Sequence, residues 1–176
     1  MNHFHQIAAL LDSYGLDAML LTGEANRFYA SGFHSAGTDG VALVTRKKAY
    51  YFTDSRYIEA AGRSVQGAEI REVGPGRGYG VLLSEALGEQ QVCRLGYEEA
   101  YMTVLEHERY RKALPCDLVP ATELLWKLRA QKDPEELEAL TAAQRIAERA
   151  LEDILNDIRP GITEKEIAAR IQYRML

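Results

Sequence analysis

Apolar residues recur along this chain with two periods, and the switches between them set the expected elements. Phe4, Ile7, Leu10, Leu11 and Tyr14 return every three or four positions, which predicts a helix stopped by Gly15. Ala18 to Leu21 is a short continuous apolar run and reads as a buried strand. A brief helical segment is expected from Asn26 to Phe33, breaking at Ser31-Gly32. The turn formers His34 to Gly40 then predict an exposed loop. Val41 to Val44 and Tyr50 to Thr53 read as strands joined by the basic turn Arg46-Lys47-Lys48, a hairpin. Asp54 or Ser55 is placed to cap a helix running to about Val65, with Tyr57, Ile58 and Ala61 on one face. Beyond it, strands are expected at 69–73, 92–97 and 116–119. Helices are expected at 81–87 and 104–114, and a flexible connection at 74–80. This alternation predicts an α/β fold with a mixed β-sheet flanked by helices.

The pattern changes near Pro120. Thr122 opens a short helix carrying Leu124, Leu125, Trp126 and Leu128. Asp133 as N-cap, Pro134 at N1 and Glu136 at N3 then announce a long one. Leu137, Leu140, Ile146, Ala150, Ile154 and Ile158 keep helical spacing until Arg159-Pro160-Gly161, and Thr163 with Glu166 forms a second capping box. The last helix runs into Met175 and Leu176 with no closing residue. The expected organisation is one domain over 1–121, a linking helix over 122–131, and the cut-off start of a second domain over 132–176.

Composition narrows the chemistry. The 176 residues are 47% hydrophobic and 27% charged, the balance of a globular protein, with a net charge of −5. That acidic balance argues against nucleic acid as a partner. With no long apolar run and no basic leader, neither a membrane span nor a signal peptide is expected, which points to the cytoplasm. Cys93 and Cys116 match no zinc or redox spacing and are expected as buried free thiols beside strands. The glycines at 32–40 and 74–80 lack the Gly-Lys-Ser/Thr ending of a phosphate loop and the spacing of a dinucleotide fingerprint. His3 and His5 are two apart, so on a helix they face different ways, and His107 sits between Glu106 and Glu108 on what reads as a solvated face. Only His34 lies in a loop of the Ser, Thr, Asp and Gly type that carries binding groups. No metal-ligand spacing is evident, and residue patterns alone do not establish catalysis.

Several stretches resemble a known family when taken in order. Tyr29-Ala-Ser-Gly-Phe33 with Gly37 and Gly40, Tyr51-Phe-Thr-Asp-Ser-Arg-Tyr57 and Leu95-Gly-Tyr-Glu98 are similar to the N-terminal domain of the creatinase, prolidase and aminopeptidase P family. Leu128-Arg129 with Lys132-Asp133-Pro134-Glu135-Glu136-Leu137 resembles the junction into that family's pita-bread catalytic domain, and Ile158-Arg-Pro-Gly-Ile-Thr-Glu164 resembles the turn between that domain's first helices. The resemblance implies a creatinase N-terminal-type, ribonuclease H-like sheet and the amino-terminal portion of a proline-specific metallopeptidase. Such an enzyme hydrolyses Xaa-Pro bonds in proline-containing peptides with two divalent ions, manganese, cobalt or zinc. The family's metal ligands fall beyond Leu176, so this segment is expected to bind no catalytic metal and to be inactive alone. Its implied role is homodimer assembly and shaping of a substrate site in trans, through His34, Ser35, Thr38 and Asp39, with Arg56 available to a substrate carboxylate. A non-catalytic module of the same fold, or a creatinase-type amidinohydrolase, are the other readings open to this sequence.

Overall fold

Continuous apolar runs become central strands and three-or-four runs become the helices that cover them. The computed structural model describes residues 2–37 and 39–176. The chain divides between Ala130 and Gln131 into two units. In the first unit, β1 (Ala18–Leu21), β2 (Val41–Thr45), β3 (Ala49–Asp54), β4 (Ala68–Val73), β5 (Arg94–Tyr97) and β6 (Asp117–Pro120) form one sheet in the order β4-β3-β2-β1-β5-β6. Strand β2 runs antiparallel to β1 and β3, while β3–β4, β1–β5 and β5–β6 are parallel. Five strands therefore end at the edge where β2 begins, and the turns that follow them gather there. This is the edge of an α/β sheet at which ligands are usually bound.

The two faces of the sheet alternate by residue. Met19, Leu21, Ala42, Val44, Ala49 and Tyr51 pack on one core shared with α1 (Phe4–Leu10), α2 (Glu24–Ser31), α3 (Ile58–Ser64) and α6 (Thr122–Ala130). Ala18, Leu20, Leu43, Tyr50 and Phe52 face the other core, built with α4 (Tyr79–Glu89) and the flank of α5 (Val104–Ala113). Burial on both sides is why β1 and β2 read as unbroken apolar runs rather than as alternating ones. The helix read from sequence as a link, α6, contributes Leu124 and Leu125 to the first core.

Local chemistry moves several boundaries. The helix after β3 starts at Ile58, with Tyr57 as N-cap and no side-chain cap. Asp54 instead accepts from the amide of Arg56 at 2.9 Å, an Asx turn that uses the carboxylate before the helix begins. Reciprocal backbone bonds between Gly74 and Arg77 close a tight turn, and α4 begins at Tyr79, within the expected flexible stretch. Cys93 is exposed and Cys116 partly so, which corrects the expectation of two buried thiols. The chain enters β5 through a turn in which Gln91 has φ of 54°, and this leaves Cys93 at the surface.

The second unit consists of α7 (Pro134–Leu155) and α8 (Glu164–Met175), which pack on each other. Both capping boxes are present, Asp133 with Glu136 and Thr163 with Glu166. Helix α7 stops at Leu155, short of Pro160, and ion pairs Arg170–Asp157 (3.0 Å) and Arg174–Asp153 (3.7 Å) tie α8 to its end. No helix of the described residues is long and apolar enough to cross a membrane.

Candidate functional site

At the carboxyl edge of the sheet, β5 delivers Glu98 to the amino end of α2. Its Oε2 accepts from the backbone amides of Thr22 and Gly23 (2.8 Å for the latter), and its Oε1 accepts from the side-chain Nδ2 of Asn26. The N-cap of α2 is Gly23, which has no side chain, and the carboxylate from a distant strand takes the backbone amides of this residue and the one before it. A Cβ at Gly23 would lie 3.0 Å from both Glu98 Oε1 and the Tyr101 ring, so the close approach depends on glycine. Asn26 passes the contact on, its Oδ1 accepting from Arg129 at 2.8 Å. Burial pushes the Glu98 carboxyl above the usual carboxylate range, against the pull of its own hydrogen bonds. The neighbouring Glu99 accepts from Thr122 Oγ1 at 2.6 Å and from the amides of Ala121 and Thr122 at 3.0 Å. Burial pushes it upward too, but these bonds prevail and hold it low.

Arg27, on α2 and 1% exposed, organises the loop that follows. It donates to the carbonyls of Thr22, Ser35 (3.2 Å) and Gly37 (2.6 Å), while its Nε has no partner. Ser35 Oγ is 2.8 Å from the hydroxyl of Tyr51 on β3, and the amide of Gly37 donates to Glu24 at 3.0 Å. Gly40 has φ of +151°, and a Cβ there would sit 2.8 Å from the Tyr51 hydroxyl. The expected exposed loop is thus exposed at His34, Ala36 and Gly37 but anchored from within at Ser35.

The sequence-predicted residues separate accordingly. His34 is at the surface, its Nε2 3.6 Å from Glu24 and its ring 5.7 Å from Phe28. Ser35 is buried, its hydroxyl between Tyr51 and Arg27. Thr38 lies outside the described residues. Asp39 and Arg56 come together at 2.8 Å, and Arg56 also grips Asp54 at 2.6 Å. The Arg56 guanidinium, through its hydrogen bonds, holds the Asp54 carboxyl below its ordinary value. Sequence reasoning missed Arg27, Glu98 and Glu99 as organisers. The available signals were an arginine in a short helix between two apolar strands and an acidic pair directly after a strand.

A cleft of about 380 Å³ opens beside this edge, lined by Thr22, Gly40, Val41, Tyr79, Arg109 and Tyr110 among others. Burial pushes the Tyr110 hydroxyl up to about 12 and that of Tyr79 upward too, so both remain donors at neutral pH. Within the first unit, the described His, Cys, Asp and Glu side chains bring no three ligand atoms to one point. A divalent metal pair therefore has no fitted donor set there, and no step through a metal is assigned to it.

Residues 5–131 match the model of the Creatinase/Prolidase N-terminal domain. The chain is 35% identical over 170 residues to an uncharacterized peptidase, YqhT, of Bacillus subtilis, covering 94% of this chain and 46% of that one. The solved Xaa-Pro dipeptidase from Bacillus anthracis superposes with a TM-score of 0.89 at 31% identity, over 98% of this chain and 47% of that chain. The N-terminal domain of the cytoplasmic peptidase PepQ from Mycobacterium tuberculosis aligns at 29% identity and a TM-score of 0.63, over 72% of this chain and 97% of its own length. The chain spans about half the length of the curated relatives it matches.

Proposed function

Because this chain belongs to the Creatinase/Prolidase N-terminal domain family, we propose that it is the amino-terminal portion of a cytoplasmic Xaa-Pro peptidase, and that its sheet edge shapes the substrate site. One observation carries the reading. The likeness to a solved Xaa-Pro dipeptidase continues past residue 131 through α7 and α8, into a protein about twice as long. On this reading residues 132–176 are the start of the catalytic domain. The dinuclear centre, with manganese, cobalt or zinc, is held by residues other than those of the first unit. When bound, such ions polarise the scissile carbonyl and make hydroxide available at neutral pH.

The work of the present residues is positional. Arg27 and Tyr51 hold Ser35 and Gly37 of the loop after α2 in place. The loop then offers His34 at its surface, against Glu24 and Phe28, and gives Asp39 to Arg56 in the cluster with Asp54. In a homodimer that surface walls the partner copy's peptide site, limiting substrate length and excluding water. Arg56 is already engaged by two carboxylates, so a substrate carboxylate reaches it by displacing Asp39, the partner that holds it through a single nitrogen. Ser35, turned inward, shapes the loop rather than touching substrate.

The test is an assay of the whole gene product on Xaa-Pro peptides, with and without chelator. Chelator-sensitive cleavage at proline is expected, with His34→Ala and Arg56→Ala each raising KM several-fold and changing kcat less. This chain alone, with manganese added, should cleave nothing. Cleavage by this chain, or hydrolysis of a creatine-type substrate in place of Xaa-Pro peptides, would overturn the reading.

A further inference from the structure

Strands β5 and β6 run parallel with Arg94 opposite Asp117 and Leu95 opposite Leu118. Cys93 and Cys116 each stand one residue before the first of these pairs, 23 positions apart in sequence. The hydrogen bond that closes this end of the ladder runs from the amide of Asp117 to the carbonyl of Cys93 at 2.9 Å. Both cysteines lie in the bends that lead into the two strands, and the Cys93 thiol is near enough to act on that of Cys116. Cys116 packs on the core to which Leu95 and Leu118 belong. Neighbouring strands lie about 4.8 Å apart, within the roughly 4.4–6.8 Å that a disulfide needs between Cα atoms. Both thiols are free, and the Cys93 sulfur makes only a weak contact, 3.9 Å, to the Gln91 carbonyl.

We propose that Cys93 and Cys116 are a reversible disulfide-forming pair, a modification site that staples the edge strand β6 to β5. The order of reaction follows from exposure. Cys93 is open to solvent. Cys116 is half-buried, and burial, with Asp117 and the Cys93 sulfur itself adding to it, pushes its thiol up to about 11, so it reacts second. The Cys93 thiolate attacks a low-molecular-weight disulfide such as oxidised glutathione, forming a mixed disulfide and releasing one thiolate, which takes up a proton. Cys116, losing its proton, then attacks the Cys93 sulfur, and the second glutathione leaves as the thiol. Two protein thiols are oxidised and one small disulfide is reduced to two thiols. The product closes a loop that contains α5.

The experiment incubates the chain with oxidised glutathione, then measures intact mass and maps peptides without reductant. Expected is a monomer that has lost both free thiols and two hydrogens and retains no glutathione. It should yield a cross-linked peptide joining Cys93 to Cys116, and dithiothreitol should reverse the change. Cys116→Ser should instead keep one glutathione on Cys93, and Cys93→Ser should leave Cys116 largely unmodified. Oxidation should also raise the urea midpoint of the wild-type chain and leave both variants unmoved. Glutathione persisting on wild-type Cys93, disulfides only between chains, or two unreacted thiols would overturn the proposal.

Discussion

Glu98 caps a helix to which it does not belong, and its effect can be read in two substitutions. Glu98→Ala leaves two buried amides and Asn26 without an acceptor and should cost about 2–3 kcal/mol in urea denaturation. Glu98→Gln can keep one oxygen toward Thr22 and Gly23, but its amide then faces that of Asn26. Asn26 must turn over, and the Arg129 contact to its Oδ1 is lost. Its cost should therefore be smaller than that of Glu98→Ala. The pH dependence has a definite sign. Burial raises this carboxyl in the folded state, so the folded chain binds the Glu98 proton more tightly than the unfolded one. The associated stability is fully present below the ordinary glutamate value of 4.5 and is lost as pH rises through the raised one. The stability difference between wild type and Glu98→Gln should shrink over that interval. A difference that grows instead would refute the assignment. Arg27 is the second organising residue. A lysine places one ammonium where the guanidinium meets three carbonyls, so Arg27→Lys should cost about 2–4 kcal/mol and speed hydrogen exchange at 33–37. None of this was legible at the residue level in the sequence. An acid after a strand and an arginine in a short helix look ordinary until their partners, 72 and 8 positions away, are known.

The elements themselves were far more readable. Strands β1, β2 and β3 lie where continuous apolar runs put them, because both faces of the central sheet are covered and apolar residues fill all but the last positions. The starts of α7 and α8 were marked by capping boxes, a signal complete within four residues. Thr163→Ala should cost about 1 kcal/mol and raise exchange in the first turn of α8. Boundaries moved where a side chain had two possible uses. Asp54, suited to a cap, is taken by Arg56 and by its own turn, so α3 begins two residues later than a Ser55 cap would have placed it. Gly96 is a case the sequence could not decide. A Cβ there would sit 2.7 Å from Leu16 and 2.8 Å from Met19, so the strand requires glycine at this point. Gly96→Ala should destabilise the chain by about 1–3 kcal/mol through overpacking, measured as a lowered urea midpoint.

At the scale of the whole molecule, the second unit leaves Leu137, Leu140, Leu151 and Leu155 exposed on one stripe of α7. Contiguous apolar surface of this kind drives association. Light scattering should show mass rising with concentration, and the double substitution Leu140→Lys, Leu151→Lys should suppress the rise. The sequence by itself determined where the strands and helices lie, which faces are apolar and where the capped helices begin, since each depends on residues within a turn or two of one another. Only the tertiary structure decided that Glu98 meets α2, that Asp39 meets Arg56, that Ser35 turns inward and that Cys93 stands beside Cys116. Those meetings are set by strand order and register, which couple positions tens of residues apart and leave no mark in local periodicity.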